Sequence, residues 1–301
     1  MRKEFAETVE KIALADKKTV FLTGDLGFMA LENVRKAMGG RFINAGVCEQ
    51  NMVSVAASLA MEGLKPLCYS IAPFAVFRPC EQIRNDVCLH NLDVKIIGNG
   101  GGYGYGIMGA SHHALEDIAL LSSFQHMKCF IPLCNEDVET VVSRAVNRIG
   151  PAYIRLGYGL KPSDMSIPAY SGARRLLRGS GITLLALGPV ALNVFEAARD
   201  YKGAVDFFAV SEMPLEDAQP VIDSVKTTGR LLVVEEHVKR GGLGEYICEL
   251  LVRQRLSPFF AHRYAKGYHK GYGSQKYHQL CDGLDAGSLK TLIGEMLSSL
   301  T

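Results

Sequence analysis

The run Asn44-Ala45-Gly46-Val47-Cys48-Glu49-Gln50-Asn51-Met52-Val53-Ser54-Val55-Ala56-Ala57-Ser58-Leu59-Ala60 changes its period in the middle. Arg41-Phe42-Ile43-Asn44 reads as a short strand. Beyond Gly46 the apolar residues fall at Met52, Val55, Ala56, Leu59 and Ala60, the spacing of a helix with one buried face. Glu49 therefore stands at a strand-to-helix switch, in or just before the first helical turn. Taken alone, a first-turn glutamate is what the helix dipole favours. In α/β folds, however, ligands bind in the crevice beyond such strand ends.

The same alternation extends in both directions. Upstream, Phe5, Val9, Ile12 and Leu14 mark a helix, and Thr19 to Thr23 is an apolar strand closed by the tight turn Gly24-Asp25-Leu26-Gly27. Asp25 by default reads as a turn former. Downstream, Lys65 to Ile71, Val94 to Ile97 and Gly150 to Gly157 read as strands, with a helix opening at Glu136. Leu160 to about Arg175 holds Pro162, Ser163, Pro168 and Ser171 and reads as a crossover linker. A second strand–helix series follows, with strands at Ile182–Gly188, Ala204–Val210 and Leu231–His237. The expected fold is α/β, two doubly wound domains with mostly parallel sheets. The expected organisation is a domain over 1–160, a linker over 161–175 and a second domain over 176–301. The tail from His262 to Tyr277, rich in Tyr, His, Lys and Gly, reads as a solvated loop.

Composition bounds the partners. The chain has 301 residues, 48% hydrophobic and 21% charged, with a formal net charge of +2. That is ordinary globular composition, and it gives no reason to invoke nucleic acid or a membrane surface. No apolar run reaches the length of a membrane span, and the charged, amphipathic start is not a signal peptide. The eight cysteines form no Cys-x-x-Cys pair and no zinc-spaced cluster with histidine. They read as reduced, mostly buried thiols of a cytoplasmic protein.

Several residues invite chemistry. Phe74 and Phe77 lie one helical turn apart; such pairs are usually core packing, yet an apolar slot also suits a planar heteroaromatic ring. Gly104-x-Gly106-x-x-Gly109 formally fits a dinucleotide fingerprint, but no helix opens immediately after it and no acidic residue closes a second strand. Its glycines fit close passage of backbone past a ligand. His112 and His113 are adjacent and diverge, which disfavours two-point chelation. His237, at a strand end, is a tempting catalyst, though a structural role fits it better.

Gly46-Val47-Cys48-Glu49-Gln50-Asn51-Met52-Val53-Ser54-Val55-Ala56-Ala57-Ser58-Leu59-Ala60 resembles the cofactor-activating segment of the transketolase family, which uses thiamine diphosphate. The Glu81-Gln82-Ile83-Arg84 run, Ser111-His112, and Val233-Val234-Glu235-Glu236-His237 with Gly241-Gly242-Leu243-Gly244-Glu245 extend the resemblance along essentially the whole chain. It implies that Glu49 hydrogen-bonds a ring nitrogen of the aminopyrimidine and that Asp25 lies near that ring. It further implies that Phe74 and Phe77 form the ring's pocket, that His112 faces the substrate, and that Arg2 matches a phosphate-binding arginine.

The resemblance covers only the second half of a full-length transketolase. The Gly-Asp-Gly…Asn motif that holds the diphosphate and a divalent metal is not found. The implication is a split enzyme. A separate N-terminal-half subunit would hold Mg2+ or Ca2+ with the diphosphate, the cofactor would lie between the chains, and the assembly would be an α2β2 heterotetramer acting on a small sugar. The reaction implied is transfer of a two-carbon ketol unit from a ketose to an aldehyde.

Three departures bear on the substrate. Met108 replaces an Asp, Gly100 or Gly101 replaces a His, and Tyr158 or Gly157 stands where an Arg grips the donor phosphate, with Arg155 offset from that place and expected as the substrate-binding arginine. An atypical sugar, with a non-standard phosphate or a nucleotide, fits these changes. The β subunit of a 2-oxoacid dehydrogenase, a 1-deoxyxylulose-5-phosphate-synthase-like enzyme and a noncatalytic homologue remain as alternatives.

Overall fold

The computed structural model describes residues 1–299. The first half contributes β1 (Thr19–Thr23), β2 (Phe42–Asn44), β3 (Lys65–Ile71), β4 (Lys95–Asn99), β5 (Lys128–Phe130) and β6 (Ala152–Leu156). The second contributes β7 (Ala173–Leu177), β8 (Gly179–Leu187), β9 (Gly203–Val210), β10 (Glu212–Met213), β11 (Arg230–Glu235) and β12 (Phe259–Tyr264). They form one sheet in the order β10-β5-β6-β4-β3-β1-β2 and another in the order β12-β11-β8-β9-β7. Every pairing is parallel except β10 with β5 and β7 with β9, both at sheet edges.

Helices cover both faces, as buried parallel sheets require. On one face, α1 (Arg2–Ala15) buries Phe5, Val9 and Ala13, and the Phe5 ring stacks on Tyr69 with 5.6 Å between centroids. On the other, α3 (Glu49–Met61) buries Met52, Val53, Ala56 and Ala57 against Val20, Leu22 and Cys68. The helix expected after Gly46 is present, but its inner face is rotated from the expected one. Val55 is 36% exposed, whereas Glu49 shares the buried stripe. The same apolar cluster continues through Ile131 to Leu185 and Val233 of the second sheet.

Three expectations need correction. The stretch expected as a linker over 161–175 already contains the start of β7, and Arg174 there is buried in a bidentate pair with Asp137, 2.6 Å from each carboxylate oxygen. The tail is a solvated loop only over 266–274: before it β12 pairs with β11, and after it the helix Gln275–Asp282 buries His278 and Asp282. Four of the eight cysteines are buried, while Cys48 and Cys281 are exposed.

The strand order fixes where a ligand can sit. From β1 the chain moves to β2 on one side, and from β3 it moves to β4 on the other. The carboxyl ends of β1 and β3 thus flank a topological switch point, the usual crevice of an open α/β sheet. Gly24-Asp25 leaves one of these ends. Ser70 closes the other, leading into α4 (Ala72–Val76) through Ile71.

Candidate active site

Glu49 enters the switch-point crevice from the first turn of α3 and is 3% exposed. Its Oε1 accepts a hydrogen bond from the Ser70 hydroxyl at 3.0 Å, and its Oε2 accepts from Arg78 Nη1 at 3.0 Å. A cation thus faces this carboxylate, a neighbour that local spacing does not reveal. Gly24 packs against the same group: a Cβ at that position would lie 3.4 Å from Glu49 Oε1.

Phe74 projects from α4 and forms the wall beside Glu49. The Arg78 guanidinium lies over its ring, 4.0 Å from the centroid. The Phe74 ring also meets that of His112 in a T-shaped contact, with centroids 5.2 Å apart. His112 follows the glycine loop in a short 3-10 turn, and the Ser111 hydroxyl lies 3.1 Å from its Nδ1. Tyr105 of the loop approaches the same imidazole and accepts a hydrogen bond from Asn99 at 2.7 Å, so the loop is pinned to the end of β4. Phe77 caps the short helix one turn after Phe74 and is 36% exposed.

Asp25 occupies the left-handed region, with φ of 58°, a conformation that costs a non-glycine residue free energy unless its surroundings enforce it. Asn44 at the end of β2 enforces it. The Asn44 amide donates to Asp25 Oδ1 at 2.8 Å and accepts from the Asp25 N–H at 3.1 Å. Arg2 donates to the Phe28 carbonyl at 2.7 Å, on the loop that begins at Asp25. Glu49 is thus linked to Phe74 through Arg78, and Phe74 to His112 by ring contact, while Gly24 brings the Asp25 turn against Glu49 and Arg2 stands at the edge of the β1 loop.

Arg155 does not point to that slot. It is 4% exposed, its Nε donates to Asp117 at 2.9 Å, and its Nη2 donates to the carbonyls of Ala114 and Glu236 at 2.7 and 3.0 Å. The expectation of a substrate-gripping Arg155 is corrected on this ground: burial and three fixed acceptors commit it to the seam between the two halves. His237 is likewise committed. It is wholly buried, its Nε2 accepts from the Ala119 N–H at 3.1 Å, and Nδ1 lies 2.7 Å from the Val238 carbonyl. Burial lowers its pKa from the ordinary histidine value.

The seam centres on Glu236. Its carboxylate accepts from the Tyr103 N–H at 2.7 Å and from the amides of Gln275 and Gln279, and burial raises its pKa. Gly102 is required here on two counts. Its φ is +66°, and a Cβ would fall 2.3 Å from Glu236 Oε1. Tyr103 donates to Asp282 at 2.8 Å, and the His113 ring meets that of His278 at 4.9 Å. The tail therefore clamps the glycine loop that carries His112.

Sequence reasoning passes over Ser70, Arg78 and Asn44. Ser70 had a signal, a hydroxyl at the carboxyl end of an otherwise apolar strand. Arg78 had a weaker one, a cation just past the end of the short helix that carries Phe74.

The residues present suit the aminopyrimidine of thiamine diphosphate. The planar Arg78 guanidinium already lies over the Phe74 ring and hydrogen-bonds Glu49, so these two residues present the aromatic face and the buried acceptor that such a ring needs. Among the described residues, no group of three or more His, Cys, Asp or Glu is placed to hold a metal ion.

Comparison with known proteins agrees with this geometry. Residues 1–161 match the transketolase pyrimidine binding domain and residues 171–259 the transketolase C-terminal domain. The chain is 32% identical over 258 residues to an apulose-4-phosphate transketolase subunit of Phocaeicola vulgatus, covering 83% of each chain. It is 32% identical to 1-deoxy-D-xylulose-5-phosphate synthase 2 of Geobacter sulfurreducens, over 96% of this chain but 48% of that protein. A solved structure described as a split gene transketolase, inactive beta4 tetramer, superposes with a TM-score of 0.86 at 29% identity, covering 99% of this chain and 97% of that one. The chain belongs to the transketolase family, as a C-terminal-half subunit of a split transketolase.

Proposed function

We propose that this chain transfers a two-carbon ketol unit from a ketose to an aldehyde acceptor, in an α2β2 assembly with a separate N-terminal-half subunit. Thiamine diphosphate, when bound, supplies the electron sink that lets the bond beside the ketose carbonyl break and re-form. The observation that carries this reading is the buried Glu49 carboxylate, pinned through Oε1 by Ser70 and met at Oε2 by the Arg78 guanidinium that lies over Phe74.

In this reading Glu49 holds and returns a proton at Oε2 toward a ring nitrogen of the aminopyrimidine. Ser70 keeps Oε1 from rotating into that role. Phe74 and Phe77 supply apolar contact and exclude water. Asp25, held by Asn44, borders the ring. His112, its Nδ1 beside Ser111, exchanges a proton with a substrate hydroxyl through Nε2, a task suited to imidazole near neutral pH. Arg2 is assigned to an anionic group of the substrate.

The partner would hold Mg2+ or Ca2+ and the diphosphate. Support for its docking comes from the loops at the carboxyl ends of β1, β2 and β4. These expose Phe28 (85%), Met29 (84%), Val47 (70%) and Ile107 (71%), a grouping of apolar side chains typical of interaction surfaces. The substrate proposed is a sugar phosphate of unusual skeleton, in keeping with the buried Arg155 and with the apulose-4-phosphate named for the Phocaeicola relative. The reading places the assembly in the cytoplasm, with its thiols reduced. No helix among the described residues is long and apolar enough to cross a membrane.

The test is reconstitution. The chain alone, with thiamine diphosphate and magnesium, is expected to bind little cofactor by calorimetry; mixed with its partner it should bind and transfer ketol units. Glu49→Gln should lower turnover by about 10²–10⁴-fold, the usual worth of a positioned acid or base. Tight, active binding by the lone chain would refute the split. Carbon dioxide release from an oxoacid donor would favour the synthase or dehydrogenase reading.

A further inference from the structure

Arg78 has no part in the roles assigned above, yet it touches the two groups at the centre of them. Its Nη1 lies 3.0 Å from Glu49 Oε2, and its Cζ lies 4.0 Å from the Phe74 centroid. Those are the hydrogen-bonding atom and the stacking surface that the aminopyrimidine would use. A guanidinium is flat, presents an N–C–N edge, and stacks on aromatic faces. The side chain is 45% exposed, while its carboxylate partner is 2% exposed. One member of this pair is fixed and buried; the other is long and open to solvent on one side.

We infer that the Arg78 guanidinium is a stand-in for the aminopyrimidine ring. It occupies the ring's position on Glu49 and Phe74 until the cofactor enters, and then swings outward. The inference rests on the thiamine diphosphate reading above and deepens it: Arg78 becomes a positioning residue that sets cofactor affinity. The physical need is clear. A carboxylate this deeply buried is destabilising if left without a compensating charge. Ser70 satisfies only one of its oxygens. A half-exposed arginine is a suitable partner, because a partly solvated pair with one flexible member is weak enough to be exchanged. The aromatic face adds a second modest attraction of the same size, lost together with the first.

Competition for a shared place has a signature that a structural role lacks: removing the competitor tightens ligand binding. In the complex with the N-terminal-half subunit, the dissociation constant of thiamine diphosphate with magnesium is measured by calorimetry. Arg78→Met is expected to bind the cofactor about tenfold more tightly than the natural chain, from loss of one half-exposed ion pair and one cation–π contact. Arg78→Gln, which keeps a neutral donor for Glu49, should fall between and serves if Arg78→Met folds poorly.

A second readout needs no cofactor. In the chain alone, Arg78→Met should lower the thermal midpoint, and adding Glu49→Gln should restore most of the loss, since no charge is then left to neutralise. Weaker or unchanged cofactor binding in both Arg78 variants would overturn the stand-in while leaving the coenzyme reading intact. Failure of the natural complex to bind thiamine diphosphate would overturn both.

Discussion

Two glutamates, Glu49 and Glu236, are buried to nearly the same degree, yet they belong to opposite kinds of site. Glu236 is met by three neutral N–H groups, two of them from the tail, and Gly102 lets the loop close against it without a Cβ in the way. Glu49 is met by one hydroxyl and one half-exposed cation. A buried acid with a full set of fixed donors acts as a joint. A buried acid whose second oxygen depends on a side chain that can leave acts as a socket. Burial alone does not separate the two; the mobility of the partner does.

The contrast can be broken first at the joint. Asp117, wholly buried, accepts from both Arg155 and Tyr153, at 2.9 and 2.7 Å. Asp117→Ala strands a buried guanidinium and is expected to cost about 3–5 kcal/mol, read as a fall in the urea midpoint. A loss under about 1 kcal/mol would show that water reaches the seam and that it is not sealed. A smaller effect is expected at the socket. Ser70→Ala removes the one fixed donor to Glu49 and should cost about 1–3 kcal/mol of stability, with turnover falling as the carboxylate loses its orientation. Unchanged turnover would mean that Ser70 does not set which oxygen works.

The smallest effect is in pH. Burial lowers the pKa of His113 and of His237 from the ordinary value of 6.5. The unfolded chain therefore binds protons that the folded one refuses, so the stability these groups contribute is complete above about pH 6.5 and is lost as pH falls through their folded values. Glu236 has the opposite sign: its pKa is raised, so its ionisation costs stability as pH rises through and above 4.5. The urea midpoint should drop between about pH 7.5 and about pH 5.5, and the drop should be shallower in His113→Asn. An identical slope in that variant would remove His113 from the account.

Much of this arrangement was legible in local pattern. The strand–turn–helix at Asn44–Ala60 put Glu49 at a strand end, and the turn after Thr23 put Asp25 at another, because both depend on residues near in sequence. The inner face of α3 was less legible. Val53, Val55, Ala56, Ala57, Leu59 and Ala60 make the helix apolar over most of its circumference, so periodicity could not choose the stripe that includes Glu49. Contacts between distant segments were not legible in local spacing, and only the family resemblance brought some of them together. Arg78 and Glu49 are separated by 29 residues, and Tyr103 and Asp282 by 179. Nothing in the spacing of tyrosines and histidines in the tail distinguished a clamp from a solvated loop, because that distinction depends on what the tail packs against. Arg155 failed as a substrate contact for the same reason: its neighbour Asp117 comes from another element.

The short strand β10 has a practical consequence. It leaves the second half to finish the first sheet, pairing Glu212 with Phe130 and Met213 with Cys129. A fragment cut near residue 160 would keep every residue of the cofactor slot described here, yet bare the backbone of β5 along one border. Such an uncovered border invites strands from other molecules. Grafting the front half onto a foreign rear half would therefore succeed only when the donor brings its own two-residue patch to that border; otherwise the hybrid should precipitate before its chemistry could be assayed.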